Sequence, residues 1–120
     1  MTVIQALAKR KQLYDEGHKL YDEARKLYDE GRKLYTKGHI CSENDNLHDE
    51  ANKLFTEGYK LCNESHKLYD EAEKLYDEGR KLMKNFNGNF HFFDFVELYH
   101  FEGKDYITGV LKYDNNPSIS

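Results

Sequence analysis

At 120 residues the chain is long enough for one domain. With 33% charged residues and a mean hydropathy of -0.95, it has too much polar surface for one large spherical core and suits an elongated helical object. Its net charge of -4 excludes the basic footprint of a nucleic-acid-binding domain, and is too mild to make a nucleic-acid mimic on charge alone.

No apolar run approaches membrane-spanning length. The opening MTVIQALAKRKQ places a short apolar stretch before its basic residues, the reverse of a secretory leader. Cys41 and Cys62 form no disulfide framework and fit a reducing compartment, so a cytoplasmic location is expected.

From Gln12 the chain runs QLYDEGH, KLYDEAR, KLYDEGR, KLYTKGH, and after a disturbance NLHDEAN, KLFTEGY, KLCNESH, KLYDEAE, KLYDEGR. A sustained period of seven is the coiled-coil signal. Leucine fills position d at Leu13, Leu20, Leu27 and Leu34, then at Leu47, Leu54, Leu61, Leu68, Leu75 and Leu82. Position a is always small: Gly17, Ala24, Gly31, Gly38, Ala51, Gly58, Ser65, Ala72 and Gly79. A glycine inside a helix costs roughly 1 kcal/mol relative to alanine, so five of them at one position need a reason. Close approach of two helix backbones supplies it, with the leucines interdigitating between them; tolerated by-products of repeat expansion are the bland alternative.

Position e carries Tyr14, Tyr21, Tyr28, Tyr35, Phe55, Tyr69 and Tyr76, with Cys62 and Met83, and His48 as the exception. The apolar stripe therefore covers a, d and e, wider than a two-stranded seam. Tyrosines can cover the seam with wet hydroxyls or pack on another hairpin. So many aromatics on a thin hairpin favour association into a helical-bundle dimer or tetramer. Asp15–Lys19, Asp22–Lys26, Asp29–Lys33, Asp49–Lys53, Asp70–Lys74 and Asp77–Lys81 are acid-first i,i+4 pairs that support the helices and solubility.

Between Leu34 and Leu47 one residue is missing from the heptad count, within GHICSENDN. Gly38 is a candidate helix end, and Ser42, Asn44, Asp45 and Asn46 are turn or N-cap types. The expectation is two helices, about 2–39 and 46–86, joined by a turn over 40–45, as an antiparallel coiled-coil hairpin filling residues 1–86. With the turn centred near residue 42, residue 2 faces residue 82 and His18 lies level with His66. A single continuous helix is the alternative.

NFNGN should stop the second helix. Residues 87–114 then read as a short β-hairpin, with strands about 89–101 and 106–113 separated by EGKD, and 115–120 as a flexible tail. Phe90, Phe92, Val96 and Leu98 line one face, and Phe93, Phe95, Tyr99 and Phe101 the other, so both faces should be covered. A lone two-stranded hairpin is marginal in water. It should dock near Val3, Ile4 and Leu7, associate with another copy, or bind a partner through an edge strand.

The chemistry-bearing residues do not assemble into a catalytic motif. No nucleophile elbow, phosphate loop or zinc-protease signature is present. Cys62 and His66 have metal-ligand spacing, and His39, Cys41 and His48 flank the turn, but a metal needs three or four converging ligands. Neither an enzyme nor a metal or other cofactor is expected. The C-terminal aromatics are interleaved with Lys104 and Lys112 only, offset by Asp94, Glu97, Glu102 and Asp105, so nucleic acid is not an expected ligand.

The repeat K-L-Y-D-E-(G/A)-(H/R), seen at Lys19–Arg32 and Lys67–Arg80, resembles short heptad-repeat accessory proteins of tailed bacteriophages over residues 12–84. The resemblance implies a small protein of the infected bacterial cytoplasm, of a general kind that includes blockers of host defence proteins. It carries over no site residue. The expected function is a non-enzymatic protein–protein interaction module, acting on itself and on an unidentified protein. A structural or assembly subunit and an acidic nucleic-acid mimic are the alternatives. The candidate interaction residues are the aromatics of position e together with Phe93, Phe95, Tyr99 and Phe101. The d leucines with Gly17, Gly31, Gly58 and Gly79 form the helix seam.

Overall fold

The computed structural model describes residues 1–112. The chain is mainly helical: α1 (Val3–Ser42) and α2 (His48–Met83) pack as a hairpin, and a three-stranded antiparallel sheet follows. A reciprocal cap opens α1: the Thr2 hydroxyl accepts from the Gln5 amide and the Gln5 side chain accepts from the Thr2 amide, at 3.1 and 2.9 Å. The tail at 115–120 lies outside the described residues.

Helix α1 runs four residues past Gly38 rather than ending beside it. The reason is steric. A Cβ on Gly38 would stand 2.7 Å from the Phe55 ring and 3.3 Å from the Ala51 carbonyl, so this glycine serves the seam and not a helix end. The turn therefore falls later than 40–45. Asn44 caps a short 3-10 turn (Asp45–Leu47) by accepting from the Asn46 amide at 3.0 Å, and α2 follows at His48 with Asp49 and Glu50 in its first turn. At its far end α2 closes at Met83, three residues short of 86.

The chain divides into two compact units, His18–Ala72 and Met1–Gly17 with Glu73–Ser120. In the His18–Ala72 unit the helices meet at their smallest residues. Gly31 faces Gly58: a Cβ on Gly58 would lie 2.7 Å from the Gly31 carbonyl oxygen. Ser65 is fully buried and donates its hydroxyl to the Ala24 carbonyl at 2.7 Å. All of the a residues, Gly17 through Gly79, are buried. This register centres the hairpin between residues 44 and 45 instead of near 42, and it puts His66 level with Glu23 rather than His18.

The leucines do not form the centre of the seam. From Leu20 to Leu34 and from Leu54 to Leu68 they are half-buried, and Leu47 is exposed. In an antiparallel pair facing through position a, both d rows fall on one side and both e rows on the other. Tyr21 packs edge-on to Tyr69 (centroids 4.7 Å apart) and Tyr35 against Phe55 (4.8 Å). At the level between them Cys62 stands opposite Tyr28. The tyrosine edge is thus zipped within the hairpin itself, not offered whole to a second one.

In the other unit, Arg10 faces Gly79 and Tyr14 packs on Tyr76 at 5.5 Å, in the same register. The sheet comprises β1 (Asn89–Phe93), β2 (Val96–Phe101) and β3 (Lys104–Leu111), in that order. The stretch read as one strand over 89–101 is two strands, folded at Asp94–Phe95, where Asp94 takes φ +54°, a conformation that aspartate tolerates. The β2–β3 turn is Glu102–Gly103, with φ of +51° and +76°, matching the primed hairpin turns. The first fold reverses the side-chain parity. Phe90 pairs with Tyr99 and Phe92 with Glu97, while Phe93 pairs with Val96 and His91 with Leu98. Phe90 and Phe92 therefore share a face with Tyr99 and Phe101, not with Val96 and Leu98.

That inner face builds the core of this unit. Ala6, Leu7, Met83 and Tyr99 are buried together, with Val3, Phe86, Phe101 and Tyr106 packed around them. Val3 and Leu7 receive the sheet; Ile4 does not and is 64% exposed.

Candidate functional site

Three features of the fold bear on function: the polar joint beneath the sheet, the outer face of the sheet, and the edges of the helical hairpin.

The joint is a buried ion pair. Arg10 grips Glu97 with two hydrogen bonds, at 2.7 and 3.1 Å, and the Thr108 hydroxyl donates to the same carboxylate at 2.7 Å. The Glu97 side chain is only 6% exposed. A carboxylate so buried is tolerable only with such partners. The Arg10 guanidinium also lies 4.1 Å from the centre of the Phe90 ring. A bulge gives the joint its shape: Leu98 pairs with Ile107 and Val96 with Leu111, so three residues of β3 oppose Glu97 alone. Gly109 sits in that bulge at φ +86°, against the Lys11 side chain. Both oxygens of the carboxylate accept from protein donors, so the network clamps the sheet to α1. Among the described residues, no buried side-chain polar atom lacks a hydrogen-bond partner.

The outer face is apolar. Phe93 is 70% and Ile107 76% exposed, with Val96 and Leu98 half-buried between them. Phe95 and Leu111 are exposed at its border. Of the four aromatics expected to share a face here, Phe93 and Phe95 reach the surface, whereas Tyr99 is buried and Phe101 half-buried on the inner side. Reading the sequence as one long strand puts Leu98 on the face of Phe90 and Phe92 and leaves Ile107 unassigned. The short period-two alternation on each side of Asp94 was the available signal. Polar side chains share this face: His91 pairs with Leu98, and His100 and Asp105, opposite each other on β2 and β3, meet at 2.7 Å and are exposed.

No protein-family model, curated protein or solved structure matches the chain.

On the hairpin, Tyr14, Tyr21, Tyr69 and Tyr76 are half-buried in their cross-helix pairs, and Tyr28 and Tyr35 are more exposed. Burial raises the Tyr69 hydroxyl pKa above its usual value, reinforced by neighbouring Tyr21, so it stays protonated at neutral pH. His39 packs edge-on against both Tyr35 and Phe55 at 5.1 Å. Beside them Tyr59, 66% exposed, lines a shallow groove with Lys60 and Asn63. The acid-first pairing takes a different form from that expected. Asp22 and Asp77 turn to Arg25 and Arg80 three residues on, rather than to Lys26 and Lys81. The Arg80 hydrogen bond holds the Asp77 carboxyl below its usual pKa.

Among the described residues, no three histidine, cysteine, aspartate or glutamate side chains converge as metal ligands, and no helix is long and apolar enough to cross a membrane. Cys41 and Cys62 are free thiols, half-buried on separate helices.

Proposed function

We propose that the chain is a non-enzymatic protein–protein interaction module whose docking surface is the outer face of the C-terminal sheet. One observation carries this reading: Phe93 and Ile107 stand mostly exposed on either side of Val96 and Leu98, on a sheet whose other face is clamped by Arg10 and Glu97. An apolar patch held on a fixed backbone loses little entropy on binding and gains by leaving water. Its occupant is a protein: a second copy of the chain, giving a dimer or tetramer, or a different partner. The heptad-repeat resemblance favours a host protein of the bacterial cytoplasm, blocked by binding.

A second reading, a subunit of a larger assembly, is favoured by β1. It is an edge strand, all five of its residues are exposed, and it has neither lysine nor proline to discourage strand addition.

The test compares the chain with Ile107→Asp and Phe93→Asp variants, in pull-downs from bacterial lysate and by light scattering. Circular dichroism verifies that the variants stay folded. A stoichiometric partner or a defined oligomer should form with the parent chain and be lost in both variants. Association that survives both substitutions, or its absence in the parent, overturns the reading. Open-ended growth that stops when β1 receives a proline would instead select the assembly subunit.

A further inference from the structure

A separate surface follows from the way the hairpin sorts its side chains. Position d lies about 50° to one side of the small seam residue on the helical wheel, and the next position outward in that direction is g. In the His18–Ala72 unit the seam register sets Leu20 level with Leu68, Leu27 with Leu61 and Leu34 with Leu54. All six leucines remain half-buried after the two helices have packed. Outside them g is almost uniformly acidic: Glu23 and Glu30 on α1, and Glu50, Glu57, Glu64 and Glu71 on α2, every one exposed, with Lys37 the exception. The lysines of position c lie one step further round, behind the glutamates. The opposite, tyrosine edge of α1 is bordered by His18, Arg25, Arg32 and His39. One edge of the hairpin is therefore a leucine track between two acidic rows, and it differs in charge from the other edge.

We propose that this leucine edge is a docking groove for an amphipathic helix whose apolar stripe is flanked by lysine or arginine. The charge decides the occupant. A second copy placed face to face would set glutamate rows against glutamate rows, and like charges at such spacing destabilise. A basic helix meets opposite charge on both sides of its apolar stripe. The three leucine levels span about 21 Å at 1.5 Å per residue, the length of roughly four helical turns. Anchors at i, i+3 or i+4, and i+7 on the partner would interleave with them. The small seam residues also hold the two leucine rows close enough for one helix to touch both.

The probe is a fluorescent peptide of about 21 residues, with leucines at a and d of each heptad and lysines elsewhere. It is compared with a shuffled peptide of the same composition and with a version carrying glutamate for lysine. Added to the full chain, the basic amphipathic peptide should bind saturably at one to one. The shuffled and acidic peptides should bind at least roughly tenfold more weakly, and raising salt to about 0.3 M should weaken binding further. The exposed-site variant Glu30→Lys/Glu57→Lys/Glu64→Lys should keep its helicity and reverse the preference toward the acidic peptide. Equal binding of the shuffled peptide, an unchanged preference in the charge-reversed chain, or occupation of the edge by a second copy in sedimentation overturns the proposal. The Ile107→Asp chain should bind the peptide normally. Loss of binding there would place the peptide on the sheet, and the groove would fall while the sheet reading stood.

Discussion

The His18–Ala72 unit and the unit formed by the two chain ends solve the same problem by opposite means. The first repeats one solution: a small residue at the seam, a leucine on one side and an aromatic on the other, level after level, as at Gly31–Gly58 and Ala24–Ser65. The second uses each contact once. Among the described residues, Arg10, Glu97, Thr108 and the Gly109 bulge have no counterparts elsewhere. Repetition spreads the cost of a single change over equivalent neighbours, whereas a single-copy joint concentrates it. Substitutions in the two units should therefore differ in size as well as in place.

The largest effect is expected at the joint. Arg10→Met keeps an unbranched stem without the guanidinium and leaves Glu97 buried with only the Thr108 hydroxyl for support. Breaking one side of a buried pair typically costs about 3–5 kcal/mol. Denaturant titration should show a loss of that order, and hydrogen exchange should show it concentrated in β2 and β3. Replacing both partners, Arg10→Met with Glu97→Met, should recover much of it, because no orphaned charge remains. A small effect in the single variant, or an equal loss of protection across His18–Ala72, would contradict the contrast between the units.

A middling effect is expected at the seam. Gly31→Leu improves intrinsic helix propensity by up to about 1 kcal/mol. A Cβ there would meet the Gly58 carbonyl oxygen and the Cys62 sulfur, both at 2.8 Å, so the backbones must part. Overpacking of this kind typically costs about 1–3 kcal/mol. Thermal melts should show net destabilisation, smaller than that of Arg10→Met because the levels on either side are untouched. A higher melting temperature would mean that Gly31 does not face a close neighbour.

The legibility of the two units differs for the same reason. The period of seven made the hairpin readable, and the invariably small position a marked the close seam before any contact was seen. Gly38 looks like a helix terminator and so draws the expected turn toward the N-terminus; only its contact with Phe55 shows it to be a seam residue. Whether the tyrosines cover the seam or pack on another hairpin stays open in the sequence, because which edges meet depends on antiparallel register, and the register rests on where the turn falls. In the C-terminal segment, a two-residue fold at Asp94 reversed the parity of everything before it. Asp94 has nothing in its identity that demands a left-handed backbone, so the face that Phe93 shares with Val96, Leu98 and Ile107 is not legible locally. Glu97 looked like one more surface acid. Its partner Arg10 lies 87 residues away, at a distance no local pattern reports.

The smallest effect is expected at Ser65, and it measures how far repetition buffers the hairpin. Its hydroxyl is fully buried and donates to the Ala24 carbonyl across the seam. That carbonyl lies inside α1, where a backbone amide four residues on already uses it. Removing the hydroxyl therefore leaves that carbonyl paired, and takes only a side-chain contact from the half-buried Tyr69 hydroxyl. Ser65→Ala also installs the residue that fills the same heptad position at Ala24, Ala51 and Ala72, and alanine is the better helix former. The loss of one hydrogen bond, about 1 kcal/mol, is set against that gain, so the melting temperature should barely move. A loss as large as that of Gly31→Leu would mean that Ser65 acts as a single-copy lock like Glu97. The contrast between a repeated seam and a once-built joint would then give way to two single-copy locks.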